Sequence, residues 1–199
     1  MDLLLPRGYL SYSQMTCWKS SPARYRREYF ENGKKLDSKY LRFGKQFAQM
    51  LEDGQIAQIP RYSAPEHEIK TIIGNVPCLS FIDSYEPTEH IFIEYKTGKI
   101  PWTQSKVQKH EQLVFYATAL KSVTGIMPQY CHLIWIPTEE NQGTEFWDKV
   151  DKRVMLSDKE PMIFKREFDE REIVRMEKEI VKVALQISVA YRAFIEEQI

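Results

Sequence analysis

Two carboxylates and a lysine fall on neighbouring β-forming runs of this sequence. Ile82-Asp83 closes one run and, after ten intervening residues, Glu94-Tyr95-Lys96 lies in the next. Side chains alternate along a strand, so Glu94 and Lys96 share one face while Ile93 and Tyr95 share the other. An acid and a lysine on a mostly apolar strand are costly to bury unless that face meets a cleft. Asp83 reaches the same cleft if the two strands pair through the Ser84–His90 connection. Two converging carboxylates form a hard, oxygen-rich site suited to Mg²⁺ or Mn²⁺. A lysine beside them can hold a water or offset charge growing on a phosphate. The competing reading is a surface ion pair worth a few tenths of a kcal/mol. The same acid-x-Lys pattern occurs in Asp37-Ser38-Lys39 and Glu68-Ile69-Lys70, but only Glu94-Tyr95-Lys96 follows an Ile-Asp strand end at hairpin distance.

Other chemistry-bearing types give less. Gln112 and Tyr116 stand four apart, on one face of a helix and at the border of its apolar stripe. His67, His90, His110 and His132 are isolated, without zinc or triad spacing. Cys17, Cys78 and Cys131 form no CxxC, which argues for packed, reduced thiols and against an iron–sulfur cluster. No phosphate-binding glycine loop is present.

The elements that must position these residues follow from periodicity and end signals. Ser11-Tyr12-Ser13-Gln14 has the form of a capping box opening a short helix. Ser20-Ser21-Pro22 opens a second, running to Asn32-Gly33, with a polar loop at 34–38 after it. Apolar residues at 40, 43, 47, 50 and 51 predict a third helix ending near Gly54. Runs at 66–73, 76–83 and 91–96 predict a three-strand meander. A helix over 103–123, a buried strand over 130–136, a loop, and a long helix capped at Asp169 complete the chain. That order implies one α/β domain over 1–199, with a mixed central β-sheet flanked by helices.

Composition narrows the class. Hydrophobic residues at 43% and charged residues at 28% fit a packed chain and exclude a disordered one. No apolar run reaches the roughly 20 residues of a membrane helix or the 7–15 of a signal core, so a cytoplasmic protein without a membrane partner is expected. The formal net charge is zero, which argues against a nucleic-acid coat protein. The distribution is uneven, however: nine Lys/Arg against three Asp/Glu lie between Lys19 and Lys45, enough to meet a polyanion.

A series of short motifs then appears in a fixed order. Leu10-Ser11-Tyr12-Ser13-Gln14 precedes the aromatic and basic Tyr25-Arg26-Arg27-Glu28-Tyr29. Gly44-Lys45-Gln46-Phe47-Ala48, Asp83, Glu94-Tyr95-Lys96-Thr97-Gly98 and Gln112-Leu113-Val114-Phe115-Tyr116 follow. Over about residues 10–136 this resembles the PD-(D/E)xK nuclease superfamily, in its RecB-like branch of phage-type exonucleases. The combination is specific, while no single member is. The resemblance implies a restriction-endonuclease-like core and a metal-dependent DNA nuclease. Asp83, Glu94 and the backbone carbonyl of Tyr95 would hold Mg²⁺ or Mn²⁺, Lys96 would serve the attacking water, and Gln112 and Tyr116 would line the cleft. It favours exonuclease action, with DNA as substrate and other recombination or replication proteins as candidate partners.

One position departs from the family pattern. Ala48 stands where the family has a histidine, and Glu52, one turn further on, is the expected acidic replacement, with a plain helix-end carboxylate as the alternative. Arg24, Arg26, Arg27 and Lys45 are the expected phosphate contacts. Trp102 could stack a base or serve as a rim aromatic. The rival function is a non-catalytic nucleic-acid-binding or interaction module on the same scaffold, which Ala48 favours and the intact Asp83–Glu94–Lys96 set opposes.

Overall fold

A computed structural model describes residues 3–33, 38–56, 59–61, 64–141 and 153–199. Ser11 caps helix α1 (Tyr12–Ser20) by accepting the N–H of Gln14. The expected capping box is only half made. The Gln14 side chain turns into the core instead, donating to the Tyr9 carbonyl and accepting the Tyr25 hydroxyl. A buried amide must satisfy both its ends, and those partners do so. Helix α2 (Pro22–Tyr25) starts on the Ser21 cap with Pro22 in its first turn, then widens into a π-helical turn at Arg26–Phe30. The wider turn lets Tyr25, Tyr29 and Phe30 all face inward, with the two tyrosine rings stacked at 4.5 Å. The polar loop expected at 34–38 lies outside the described residues, except for Ser38, which caps helix α3 (Lys39–Glu52).

The meander is present as β1 (Ala64–Ile73), β2 (Val76–Glu86) and β3 (Ile91–Gly98). Gly74 and Asn75 join the first two strands with both φ angles positive, at 53° and 68°. That is the tight turn whose twist suits a hairpin. A crossover unit then leads from β3 to a parallel strand, β4 (Tyr130–Asn141), through α4 (Gln104–Gln108) and α5 (Glu111–Thr124). The single helix expected over 103–123 is thus broken at Lys109-His110, where His110 is extended.

Two strands fall in the stretch expected to be loop, β5 (Arg153–Leu156) and β6 (Met162–Glu167), both antiparallel to β4. The alternation of β6 is disguised because a core position holds an arginine. Arg166 is buried and ion-paired with Glu172, while Ile163 lies exposed. Helix α6 (Glu170–Glu196) carries the full capping box between Asp169 and Glu172.

The six strands form one mixed sheet in the order β1-β2-β3-β4-β5, with β6 also paired to β4. Alternation along β3 and β4 assigns the two faces. Phe92, Leu133 and Trp135 join the large core under α1, α5 and α6. Ile93, Ile134 and Ile136 join a smaller cluster under Phe43, Phe47 and Leu51 of α3. The α/β architecture with a mixed sheet flanked by helices is the one the sequence predicts. Cys17, Cys78 and Cys131 are buried and free. Among the described residues no helix is long and apolar enough to cross a membrane.

Candidate active site

Strands β2 and β3 part where the carboxylates lie. Their ladder runs from Glu86↔Ile91 to Ser84↔Ile93 and stops there. The next residues, Asp83 and Glu94, begin a fork. Asp83 Oδ2 accepts the Tyr95 N–H at 2.7 Å, replacing a ladder bond with a side-chain bond. Further along, the edge of β2 that β3 has left is filled by the N-terminal segment: Leu10 donates to Pro77 and accepts from Leu79. The fork is therefore held open by backbone pairing on both sides.

Glu94 and Lys96 share the face of β3 that looks towards α5, as their spacing requires. Lys96 Nζ donates to Glu94 Oε1 at 2.5 Å and to Gln112 Oε1 at 2.8 Å. Gln112 Nε2 in turn donates to the Tyr116 hydroxyl at 2.7 Å, which fixes which end of the amide faces the lysine. The four residues form one chain from strand to helix. Burial, reinforced by the Glu94 charge, pushes the Tyr116 phenol up, so it stays protonated. Burial, followed by the Glu94 carboxylate, holds the Asp83 carboxyl well above the usual range, and the Tyr95 N–H and Lys96 only partly oppose this.

The donor set fits a divalent cation. Glu94 is 3% exposed, and its Oε2 has no hydrogen-bond partner. A buried carboxylate oxygen left bare beside a second carboxyl group is unfavourable unless a proton or a cation lies between them. No three His, Cys, Asp or Glu side chains cluster as a metal cage among the described residues; at the fork Glu94 is near enough to act on the Asp83 carboxyl. The side chain of Tyr95 points the other way, edge-on to Phe47, with its hydroxyl on the Pro60 carbonyl.

A cavity of about 400 Å³ opens beside Asp83 against α3. Gly44, Ala48 and Glu52, spaced by four, all line it, together with Lys45. Glu52 is solvent-exposed on this wall and lies outside the Asp83–Glu94 pair. Arg61 and Glu66 line the same cavity and were not singled out by the sequence reading. Glu66 lies opposite Asp83 in the β1–β2 register, between Pro65↔Ser84 and His67↔Ile82. Glu66 and Asp83 are equally far from the Gly74-Asn75 turn, so recognising that turn would have singled out Glu66, not Glu68. A second hollow of about 390 Å³ shares no lining residue with the first, and includes Arg7, Ser11, Ser13, Gln112 and Tyr116.

His110 stands in the gap between α4 and α5, its ring edge-on to Trp102 and Tyr12. Burial and then the Lys96 charge push its imidazole down to about 4, so it is neutral at ordinary pH. Trp102 is half-buried, with Lys106 Nζ 4.0 Å from its ring centroid.

The expected phosphate contacts divide. Lys45 is exposed on the cavity wall. Arg24 pairs with Glu28 at 3.6 Å, while Arg26 pairs with Glu31 and Glu197 and covers the Phe194 ring. Arg27 is exposed and lines neither hollow. The structure does not gather these three arginines at the fork: Arg24 and Arg26 are engaged by acids of their own segment and, for Arg26, by Glu197 of α6.

No protein-family model matches the chain, and no curated protein matches it in sequence. Solved structures do share its fold. A protein of Eubacterium rectale, provisionally named an exonuclease, superposes with a TM-score of 0.58 at 12% identity, over 93% of this chain and 83% of its own. The alkaline exonuclease LHK-Exo of Laribacter hongkongensis gives 0.56 at 13% identity, over 96% and 93%. The same enzyme in complex with dAMP gives 0.53 at 12% identity, over 97% and 94%. The chain therefore shares the fold of these solved exonuclease structures.

Proposed function

We propose that this chain is a divalent-metal-dependent DNA nuclease, an exonuclease that hydrolyses phosphodiester bonds. The observation that carries the reading is the strand fork: two carboxylates, one with a bare buried oxygen, beside a lysine held by a glutamine. The shared fold with exonucleases supports the nuclease class, and the dAMP bound by LHK-Exo supports a deoxynucleotide polymer.

Each residue has a role that follows from its contacts. Asp83 and Glu94, with the Tyr95 carbonyl, would hold Mg²⁺ or Mn²⁺. Bound there, the ion supplies Lewis-acid activation of water and charge neutralisation at the phosphate. The Tyr95 N–H keeps Asp83 aimed into the fork. Lys96 has three donors and two protein acceptors, leaving one N–H for the attacking water or a phosphate oxygen. Gln112 and Tyr116 fix where that N–H points. Lys45 would meet the substrate from the α3 wall, and Glu52, outside the carboxylate pair, would reach the ion only through water.

Ala48 in that wall supports a second reading, a nucleic-acid-binding module without catalysis. End-labelled single- and double-stranded DNA incubated with Mg²⁺, Mn²⁺ or EDTA separates the two. The wild type is expected to shorten DNA with metal and not with EDTA. Glu94→Ala and Lys96→Ala should each lower kcat by about 100-fold or more, the scale for one charge-stabilising group, with Lys96→Ala sparing DNA affinity. Cleavage by both variants at the wild-type rate would falsify the assignment. DNA bound tightly and never cut would favour the module.

A further inference from the structure

We propose that Glu140 is a positioning residue for the cleavage reaction, locking the helix that walls the cavity to the strand that carries Lys96; this rests on the nuclease reading above. Glu140 lies near the end of β4, and three donors from two other segments converge on it. Lys39 Nζ and the Tyr40 hydroxyl reach Oε1 at 2.7 and 2.5 Å, and Lys99 Nζ reaches Oε2 at 3.2 Å. Lys39 and Tyr40 form the first turn of α3, while Lys99 follows the last residue of β3.

The three segments have little else in common at this end. The last β3–β4 pair is Gly98↔Pro137, so Lys99 and Glu140 extend beyond the parallel ladder. The first turn of α3 has weak apolar anchorage: Tyr40 is 43% and Leu41 58% exposed, and burial begins only at Phe43. The other end of the helix is held differently, by Phe47 and Leu51 in the core and by Arg61 donating to the Leu51 carbonyl. Hydrogen bonds from Lys39, Tyr40 and Lys99 hold the Glu140 carboxyl down to about 2, so it is ionised wherever the protein works.

Both cavity walls run through this junction. About one and a half turns beyond Lys39 the helix presents Gly44 and Lys45, and Thr97 lines the cavity two residues before Lys99. An isolated exposed ion pair contributes little stability. A single carboxylate shared by three donors acts on geometry instead, and an error of about 1 Å at a reacting centre can cost about 100-fold in rate.

The test pairs kinetics with a distance. Spin labels at Gln46→Cys on α3 and Met162→Cys on β6 report helix against sheet, since the native cysteines are buried. Glu140→Ala should broaden that distance distribution and lower kcat on end-labelled duplex by about 100-fold, with KM nearly unchanged. Glu140→Gln, which keeps an acceptor for Tyr40 and folds without a cavity, should fall between the two. A wild-type distance or a wild-type kcat in both variants overturns the proposal. So does tighter DNA binding at unchanged kcat, which would mean that Glu140 only masks two lysines. If the wild type cuts nothing, the nuclease reading fails, and the distance alone decides whether Glu140 locks the walls.

Discussion

The two faces of β3 are built differently. Towards α5, Glu94 and Lys96 rest on a continuous core that includes Phe92, Leu113, Phe115 and the apolar stripe of α6. Their polar groups are tied into a chain ending at Tyr116. Towards α3, Ile93 and Tyr95 meet a small cluster, and the groups that face the cavity, Lys45 and Glu52, are exposed. The first face holds its functional side chains by burial and hydrogen bonds to a long helix. The second presents them from a helix anchored at its ends. A buried acid on one side and an exposed wall anchored at its ends on the other suit the proposed site, which must hold a cation and admit a polymer.

The contrast is sharpest in stability. Leu113→Ala, in the large core, should cost about 2–5 kcal/mol in urea unfolding. Leu51→Ala carries out the same chemical deletion in the smaller cluster and should cost less, yet it should reduce activity by more than its stability loss explains. Equal losses of stability and activity at the two sites would erase the distinction.

On the α3 side, Glu52→Gln should weaken Mn²⁺ binding by about 10–100-fold, the range for supporting ligands. Titration calorimetry measures this directly, with the thermal midpoint as the control for folding. Ala48→His in that background should partly restore activity. Unchanged affinity would return Glu52 to an ordinary helix-end carboxylate.

The smallest effect concerns charge. Lys45→Ala should reduce the slope of log affinity against log salt by about 1, the value of one phosphate contact. Arg26→Ala should leave that slope alone, since Arg26 already serves Glu31 and Glu197. Equal changes from the two variants would place the DNA path across α2 as well as α3.

Much of this was legible before any coordinates. The alternation that puts Glu94 and Lys96 on one face is a property of any strand, and the four-residue spacing that puts Gln112 and Tyr116 together is a property of any helix. The register of Glu66 against Asp83 was legible too, and was missed because Gly74-Asn75 was not read as a two-residue turn. Strands β5 and β6 were hidden for another reason. Arg166 occupies a core position that only its partner Glu172 makes tolerable, and that partner belongs to the next element.

Local pattern alone thus determined most of the helices, four of the strands and which side chains share a face, because those follow from fixed backbone periods. Tertiary structure decided what each charged group faces. Arg26 reads as part of a basic patch until Glu197 of α6 is brought to it. Glu140 sat in a stretch expected to be loop until Lys39, Tyr40 and Lys99 met it. Asp83 acts at the fork because β3 leaves β2 at that residue and Leu10 takes its place further along. Electrostatic partners act through space over a few ångströms, and residues 100 or 171 positions apart in the chain can be those partners.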